Sequence, residues 1–187
     1  MFPPGRFRFS AGGRRIATTI IAGRHRGLKL RESVDGNIRP TQARVRKSLF
    51  QRLEPWLGRE VCDLYAGIGS VGIEALSRGA EKVTFIDNSP VALSILRSNL
   101  DRAHEQEAIV VDADAHEFLQ STTATFDVVM ADPPYGSVTW EQLQGRCASI
   151  LKKGGLFVME MDIKATLPEG LDVREYGKSK LAMWRRA

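Results

Sequence analysis

The stretch Val61 to Gly72, VCDLYAGIGSVG, decides how the rest of the chain folds. It opens with a short apolar run containing one acid, Asp63, then sets Gly67, Gly69 and Gly72 in the spacing G-x-G-x-x-G, and continues into IEALSRGA, which has helical periodicity. The order is strand, glycine turn, helix. Glycines suit that turn because the chain reverses sharply and lets a ligand approach bare backbone, while the first amides of the helix carry partial positive charge. The unit reads as a nucleotide-type cofactor site in which the backbone around Ala66, Gly67 and Gly69 faces the ligand.

Further strands and helices follow in alternation. KVTFI (Lys82 to Ile86) ends in Asp87 and Asn88, about twenty residues beyond the turn, where an acid accepting both ribose hydroxyls is expected. A helix is predicted over Pro90 to Ala103 with Ser89 as its cap. A strand at Ile109 to Val111 leads to Asp114 and Ala115 and the short helix AHEFLQ, and Asp127 to Ala131 forms a strand that delivers Asp132-Pro133-Pro134-Tyr135. A helix is expected from Trp140 to Leu151, with Gly154 and Gly155 as its stop, then a strand from Leu156 to Met161. Leu171 to Tyr176 and Lys180 to Trp184, separated by GKS, read as a final antiparallel hairpin. This succession implies an α/β fold with a doubly wound, mainly parallel sheet.

Ligands of such sheets bind at the carboxyl ends of the strands, where Asp63, Asp87, Asp114 and Asp132 would share one rim. S-adenosylmethionine gives three of these acids a partner: its amino group for Asp63, its ribose for Asp87 and its adenine amine for Asp114. DPPY suits the methyl acceptor. An exocyclic amine on a base is a poor nucleophile because its lone pair is delocalised into the ring. Asp132 and the Pro133 carbonyl can accept the two amine hydrogens, which turns the lone pair toward the methyl group and stabilises the charge that develops on nitrogen. Tyr135 can stack on an extruded base, a contact worth about 1 to 3 kcal/mol.

Charge is distributed unevenly along the 187 residues: residues 1–47 carry 12 of the 27 Lys and Arg but only 2 of the 22 Asp and Glu. A basic end on an otherwise acidic chain fits a polyanionic partner, most simply nucleic acid. Residues 1–15 mix Pro, Gly and Arg without periodicity and read as a flexible basic arm. Residues 16–55 form an N-terminal extension. IATTIIAGRHRGLKL reads as a β-hairpin whose basic tip displays Arg24, Arg26 and Lys29, and Pro40 and Thr41 start an amphipathic helix ending near Leu53 that carries Arg44, with Arg39 just ahead of it. Those five cations are the candidate RNA-docking set, and residues 56–187 form the catalytic domain.

Cys62 and Cys147 have no metal-ligand spacing and His25, His104 and His116 form no motif, so no metal is expected. No apolar run is long enough to span a bilayer and the N-terminus lacks a secretory core, which suggests a cytoplasmic protein, expected to be a monomer.

The blocks IIAGRHRGLKL, RPTQARVRKSLF, DLYAGIGSVGIEALSRGA and DPPY together resemble the bacterial small-subunit (16S) ribosomal RNA guanine 2-amino methyltransferase family, the RsmD type, from about Ile20 to the C-terminus. The resemblance implies a seven-stranded methyltransferase sheet with an N-terminal hairpin, S-adenosylmethionine as donor, and one guanine of 16S rRNA in assembling small subunits as acceptor. DPPY also serves DNA adenine and cytosine amino methyltransferases, which are the alternative, although the chain has no recognisable target-recognition domain. The glycine spacing alone would also suit a nicotinamide-binding oxidoreductase, a more distant reading.

Overall fold

The computed structural model describes residues 18–32 and 43–187. A helix at Ala43–Arg52 (α1) precedes β1 (Glu60–Leu64), α2 (Ser70–Ser77), β2 (Lys82–Asp87), α3 (Pro90–Ala103), β3 (Ile109–Asp112), α4 (Ala115–Ser121), β4 (Phe126–Ala131), α5 (Trp140–Ile150), β5 (Leu151–Asp162), β6 (Asp172–Tyr176) and β7 (Ser179–Arg185). The seven strands make one sheet in the order β3-β2-β1-β4-β5-β7-β6. Pairing is parallel from β3 through β5 and antiparallel at β5–β7 and β7–β6, so the mainly parallel, doubly wound sheet and its closing hairpin are both present. Strand order reverses between β1 and β4. In sheets of this kind such a reversal forms the crevice where ligands bind, at the carboxyl ends of the strands, because the connections leave in opposite directions.

Successive strand residues face opposite sides of the sheet. Val61, Val83, Phe85, Val128, Met130 and Val158 join apolar residues of α1, α2 and α3 in one buried cluster. Cys62, Leu64, Ile86, Val129, Phe157 and Met159 join α4 and α5 in the other.

The stripe Val45, Leu49 and Leu53 expected on the N-terminal helix is buried, together with Phe50, in the first cluster. Each such side chain contributes about 1.5 to 3 kcal/mol on leaving water. Trp56 fixes the exit from α1: its indole lies 4.7 Å from the Phe50 ring and donates to the Phe50 carbonyl at 3.1 Å. Ile20 and Leu30 of the hairpin enter the same cluster. Among the described residues the hairpin is an antiparallel bridge between Thr19 and Lys29 flanked by hydrogen bonds from Ile20 N to Leu28 O and from Leu30 N to Thr18 O.

Arg46 of α1 faces inward: it is 1% exposed and donates to the Thr19 carbonyl at 2.8 Å. Burial lowers its pKa, and the nearby Glu74 carboxylate opposes that shift. Gly154 and Gly155 do not stop a helix. The helix α5 ends at Ile150 and passes directly into β5, whose first residue, the buried Leu151, pairs with Phe126 of β4. The two glycines sit within β5, where the register with β4 shifts between Phe126 and Val128. Gly154 has φ 76°, and a Cβ on Gly155 would stand 3.1 Å from the Asp127 carbonyl, so the irregularity needs residues without side chains.

Candidate functional site

The crevice at the switch point is lined by a glycine loop held between two acids. Ala66 N donates to the Ile86 carbonyl at 3.0 Å and Gly67 N to Asp87 Oδ2 at 2.8 Å, tying the loop to the end of β2. Gly69 caps α2 in the left-handed region, and Gly72 N in the first turn donates to Asp63 Oδ2 at 2.9 Å. Gly72 serves packing: a Cβ there would lie 2.2 Å from the Phe85 ring, so only glycine lets α2 settle onto β2.

The other oxygen of Asp87 accepts the Ser89 N–H at 2.9 Å, and Ser89 in turn caps α3. Asp87 is half-buried and Asn88 exposed. A carboxylate has about four acceptor positions, so two backbone bonds leave Asp87 able to receive hydroxyls. Asp114 follows β3 and caps α4, accepting from His116 N at 2.8 Å, while Ala115 is buried beneath it.

Asp63 is the most perturbed acid. It is 4% exposed, and its pKa is pushed up to about 7, chiefly by burial, with the charges of Asp132 and Asp87 adding to the rise and the Gly72 N–H opposing it. Asp63, Asp87 and Asp132 therefore lie within electrostatic reach of one another. An acid held this way is stabilised as a carboxylate by any cation that enters, so the crevice suits a ligand bearing an ammonium or sulfonium group.

Asp132 arrives by register. Ala131 of β4 pairs with Leu64, the last residue of β1, so Asp132 starts its loop beside Tyr65, where the glycine loop starts. Asp132 is half-buried, Pro133 buried and Pro134 exposed. Tyr135 is 40% exposed, and the turn that carries it is closed by Ser137, whose N–H and hydroxyl both donate to the Pro134 carbonyl, at 3.0 and 2.7 Å. An acid, a proline carbonyl and a partly exposed aromatic residue thus follow the strand next to the glycine loop.

Arg26 and Lys29 are exposed. Arg24 is exposed but ion-paired with Glu105, which also bonds His25 at 2.6 Å. Arg39, Pro40, Thr41 and the Arg44 side chain lie outside the described residues, as do residues 1–15.

Three further residues matter that sequence patterns did not mark. Tyr65 is a non-glycine residue at φ 59°, a costly conformation for a bulky side chain. Burial raises its phenol to a pKa of about 12, and Asp114 adds to the shift, which places the ring toward the end of β3. Glu74, fully buried on α2, accepts the N–H groups of Ile21 and Ala22 at 2.6 and 3.1 Å and the Arg78 Nε–H at 2.8 Å. Asn99, fully buried on α3, accepts from Arg31 N at 2.7 Å and donates to the carbonyls of Arg31 and Ile68 at 3.1 and 3.0 Å.

Both cysteines are buried and their thiols pushed up by burial, which leaves them unreactive. Among the described residues, no group of three or more His, Cys, Asp or Glu is placed to hold a metal ion, and no helix is long and apolar enough to cross a membrane.

The chain is similar to several known proteins. The ribosomal RNA small subunit methyltransferase D of Haemophilus influenzae is 40% identical over 121 residues, covering 62% of this chain and 63% of that protein. Its namesake in Escherichia coli K12 is 38% identical over 117 residues, covering 62% and 59%. The matched stretch spans less than two thirds of either relative. The structure of a hypothetical protein of Thermus thermophilus superposes with TM-score 0.79 at 29% identity, over 88% of this chain and 97% of that one. A 16S rRNA N2 G1207 methyltransferase of the same organism, in complex with AdoMet and guanosine, has the same fold, at TM-score 0.67 and 20% identity over 81% of this chain and 45% of that one. The family model described as Conserved hypothetical protein 95 runs across residues 18–185, taking in the hairpin, the glycine loop and DPPY, and the chain belongs to that family, the RsmD-type methyltransferases.

Proposed function

We propose that the chain transfers a methyl group from S-adenosylmethionine to the exocyclic 2-amino group of a guanine in small-subunit ribosomal RNA. The observation that carries this reading is the register that sets Asp132 beside the opening of the glycine loop, close enough for its charge to raise the Asp63 pKa. Acceptor acid and cofactor loop are neighbours.

When bound, S-adenosylmethionine supplies an electrophilic methyl group on a sulfonium. Asp63 would hold its ammonium, Asp87 its ribose hydroxyls, and Asp114 its adenine amine, with the backbone of Ala66, Gly67, Gly69 and Ala115 and the exposed Asn88 around it. Asp132 accepts one hydrogen of the target amine and the Pro133 carbonyl the other, so the nitrogen lone pair is withdrawn from the ring and aimed. As the new N–C bond formed and the S–C bond broke, leaving a neutral thioether, nitrogen would become positive, and the Asp132 carboxylate would stabilise that charge and lie next to the proton that must leave. Tyr135, 40% exposed, would stack on the base.

Arg26 and Lys29, with Arg39 and Arg44 from the same segment, would follow the RNA backbone. Arg24 is held by Glu105, so its charge counts for less than its neighbours'. Replacing both Arg26 and Lys29 with Glu should weaken RNA binding, and each lost cation should flatten its dependence on log salt by roughly one unit. Cofactor affinity should not change.

The deciding experiment offers labelled methyl donor with small-subunit particles, naked ribosomal RNA and duplex DNA, followed by nucleoside analysis. Appearance of 2-methylguanosine in RNA is the expected result. Methylated adenine or cytosine in DNA would overturn it in favour of the DNA amino methyltransferase reading.

A further inference from the structure

We infer that Asn99 is a positioning residue that joins the N-terminal RNA-docking segment to the cofactor loop, so that RNA and S-adenosylmethionine each strengthen the binding of the other. The inference rests on the docking role proposed above for that segment.

The described hairpin residues of the segment, from Arg24 to Arg31, touch α3 at successive turns. Arg31 Nη1 donates to Ser98 Oγ at 2.8 Å, Arg102 Nη2 donates to the Lys29 carbonyl at 3.2 Å, and Glu105 just past the helix end binds Arg24 and His25. The Arg31, Arg102 and Arg24 contacts are exposed and individually weak, and only the His25–Glu105 contact is part-buried. Asn99 differs because it is fully buried and continues inward. Its carboxamide grips both backbone groups of Arg31, and its remaining N–H reaches the carbonyl of Ile68, the residue between Gly67 and Gly69.

A planar amide with all these bonds has no spare orientation. If Arg31 shifts, the amide must turn with it or lose its bonds there, and turning carries the donor away from Ile68. The Gly67 N–H, two peptide units back along the loop from the Ile68 carbonyl, is the group that binds Asp87. The path from RNA segment to ribose-binding acid is therefore Arg31, Asn99, the backbone from Ile68 back to Gly67, and Asp87. Breaking the buried rung in the middle leaves polar groups unpaired, which makes an intermediate arrangement costly. RNA that holds the segment still thereby holds the loop, and the linkage is reciprocal.

The test measures affinity for S-adenosylhomocysteine, which cannot donate a methyl group, with and without the ribosomal RNA form that is methylated. In the wild type, RNA should tighten that binding by about fivefold or more, the lower end of ordinary coupling between sites. Asn99→Asp removes both donated hydrogen bonds, and Asn99→Ala removes all three. In either, provided its thermal transition remains cooperative, coupling should fall to within about twofold of none, while the salt dependence of RNA binding stays that of the wild type. Should neither variant fold, amide hydrogen exchange of residues 66–69 in the wild type decides: RNA should protect them. Absent coupling or absent protection in the wild type, or unchanged coupling in a folded Asn99 variant, would overturn the inference. Docking itself is tested separately, because Arg26→Glu with Lys29→Glu leaves Asn99 in place. RNA affinity indifferent to that pair would overturn the docking reading.

Discussion

Asp63→Asn separates the stability of the glycine loop from its function. Folding raises the pKa of Asp63 from 3.8 to about 7, so the fold favours the protonated acid. Its favourable contribution is complete below pH 3.8 and is lost as pH rises to about 7. Above that value the native state holds a buried carboxylate near two others. At ~1.4 kcal/mol per unit, a shift of about 3 units corresponds to about 4 kcal/mol across the whole range, a large part of the 5 to 15 kcal/mol that stabilises a typical domain. Asn is nearly isosteric, can still accept the Gly72 N–H through its carbonyl, and does not titrate. Urea unfolding at pH 5, 6, 7 and 8 should therefore show the variant gaining on the wild type by about 3 kcal/mol between the two ends, with the gain complete near pH 7. Affinity for S-adenosylmethionine should move the other way, because the ammonium loses its carboxylate. A protein made more stable and less able to bind is the mark of an acid kept for function against the interest of the fold. In the wild type, cofactor binding at pH 7 should release about half a proton, read by calorimetry in two buffers of different ionisation enthalpy, since a cation beside a half-protonated acid drives it to ionise. Parallel stability curves for wild type and variant from pH 5 to 8 would refute the assignment of this shift to Asp63.

Asp132→Ala should lose most single-turnover methyl transfer, on the order of a hundredfold or more, while cofactor affinity by calorimetry stays within a few-fold; near-normal transfer would remove Asp132 from the mechanism. Tyr135→Phe should keep substantial activity because the ring face survives, whereas Tyr135→Ala should lose about 1 to 3 kcal/mol of RNA-dependent activity; equal losses in both would assign the role to the hydroxyl. Asp87→Asn keeps an acceptor for one of its two backbone partners but loses the charge, and should weaken S-adenosylmethionine binding by roughly tenfold with little change in the thermal transition; unchanged affinity would contradict the ribose assignment.

Much of this architecture is legible in the amino-acid order. The strand, glycine turn and helix at Val61 to Gly72, the alternation that follows, and the start and end of α3 are local patterns: apolar period, a capping serine, glycine where the chain turns. Parallel alternation further implies that Asp63, Asp87, Asp114 and Asp132 end their strands on one side, because each connection returns the chain in the same direction. What local pattern cannot contain is the competition between distant partners. Gly154 and Gly155 carry the usual signal of a helix stop, yet pairing of Leu151 with Phe126 pulls the chain into a strand before the glycines are reached. Arg46 sits in a basic run and turns inward because a carbonyl and a buried carboxylate wait there, supplied from residues 19 and 74. Arg24 is one of three tip cations in the sequence, and only packing against the end of α3 brings Glu105 to neutralise it. Asn99 reads as one polar residue in an amphipathic helix. Its place between Arg31 and Ile68 exists only when three segments far apart in the chain have met, since a buried amide is defined by the groups that satisfy it rather than by its neighbours in sequence.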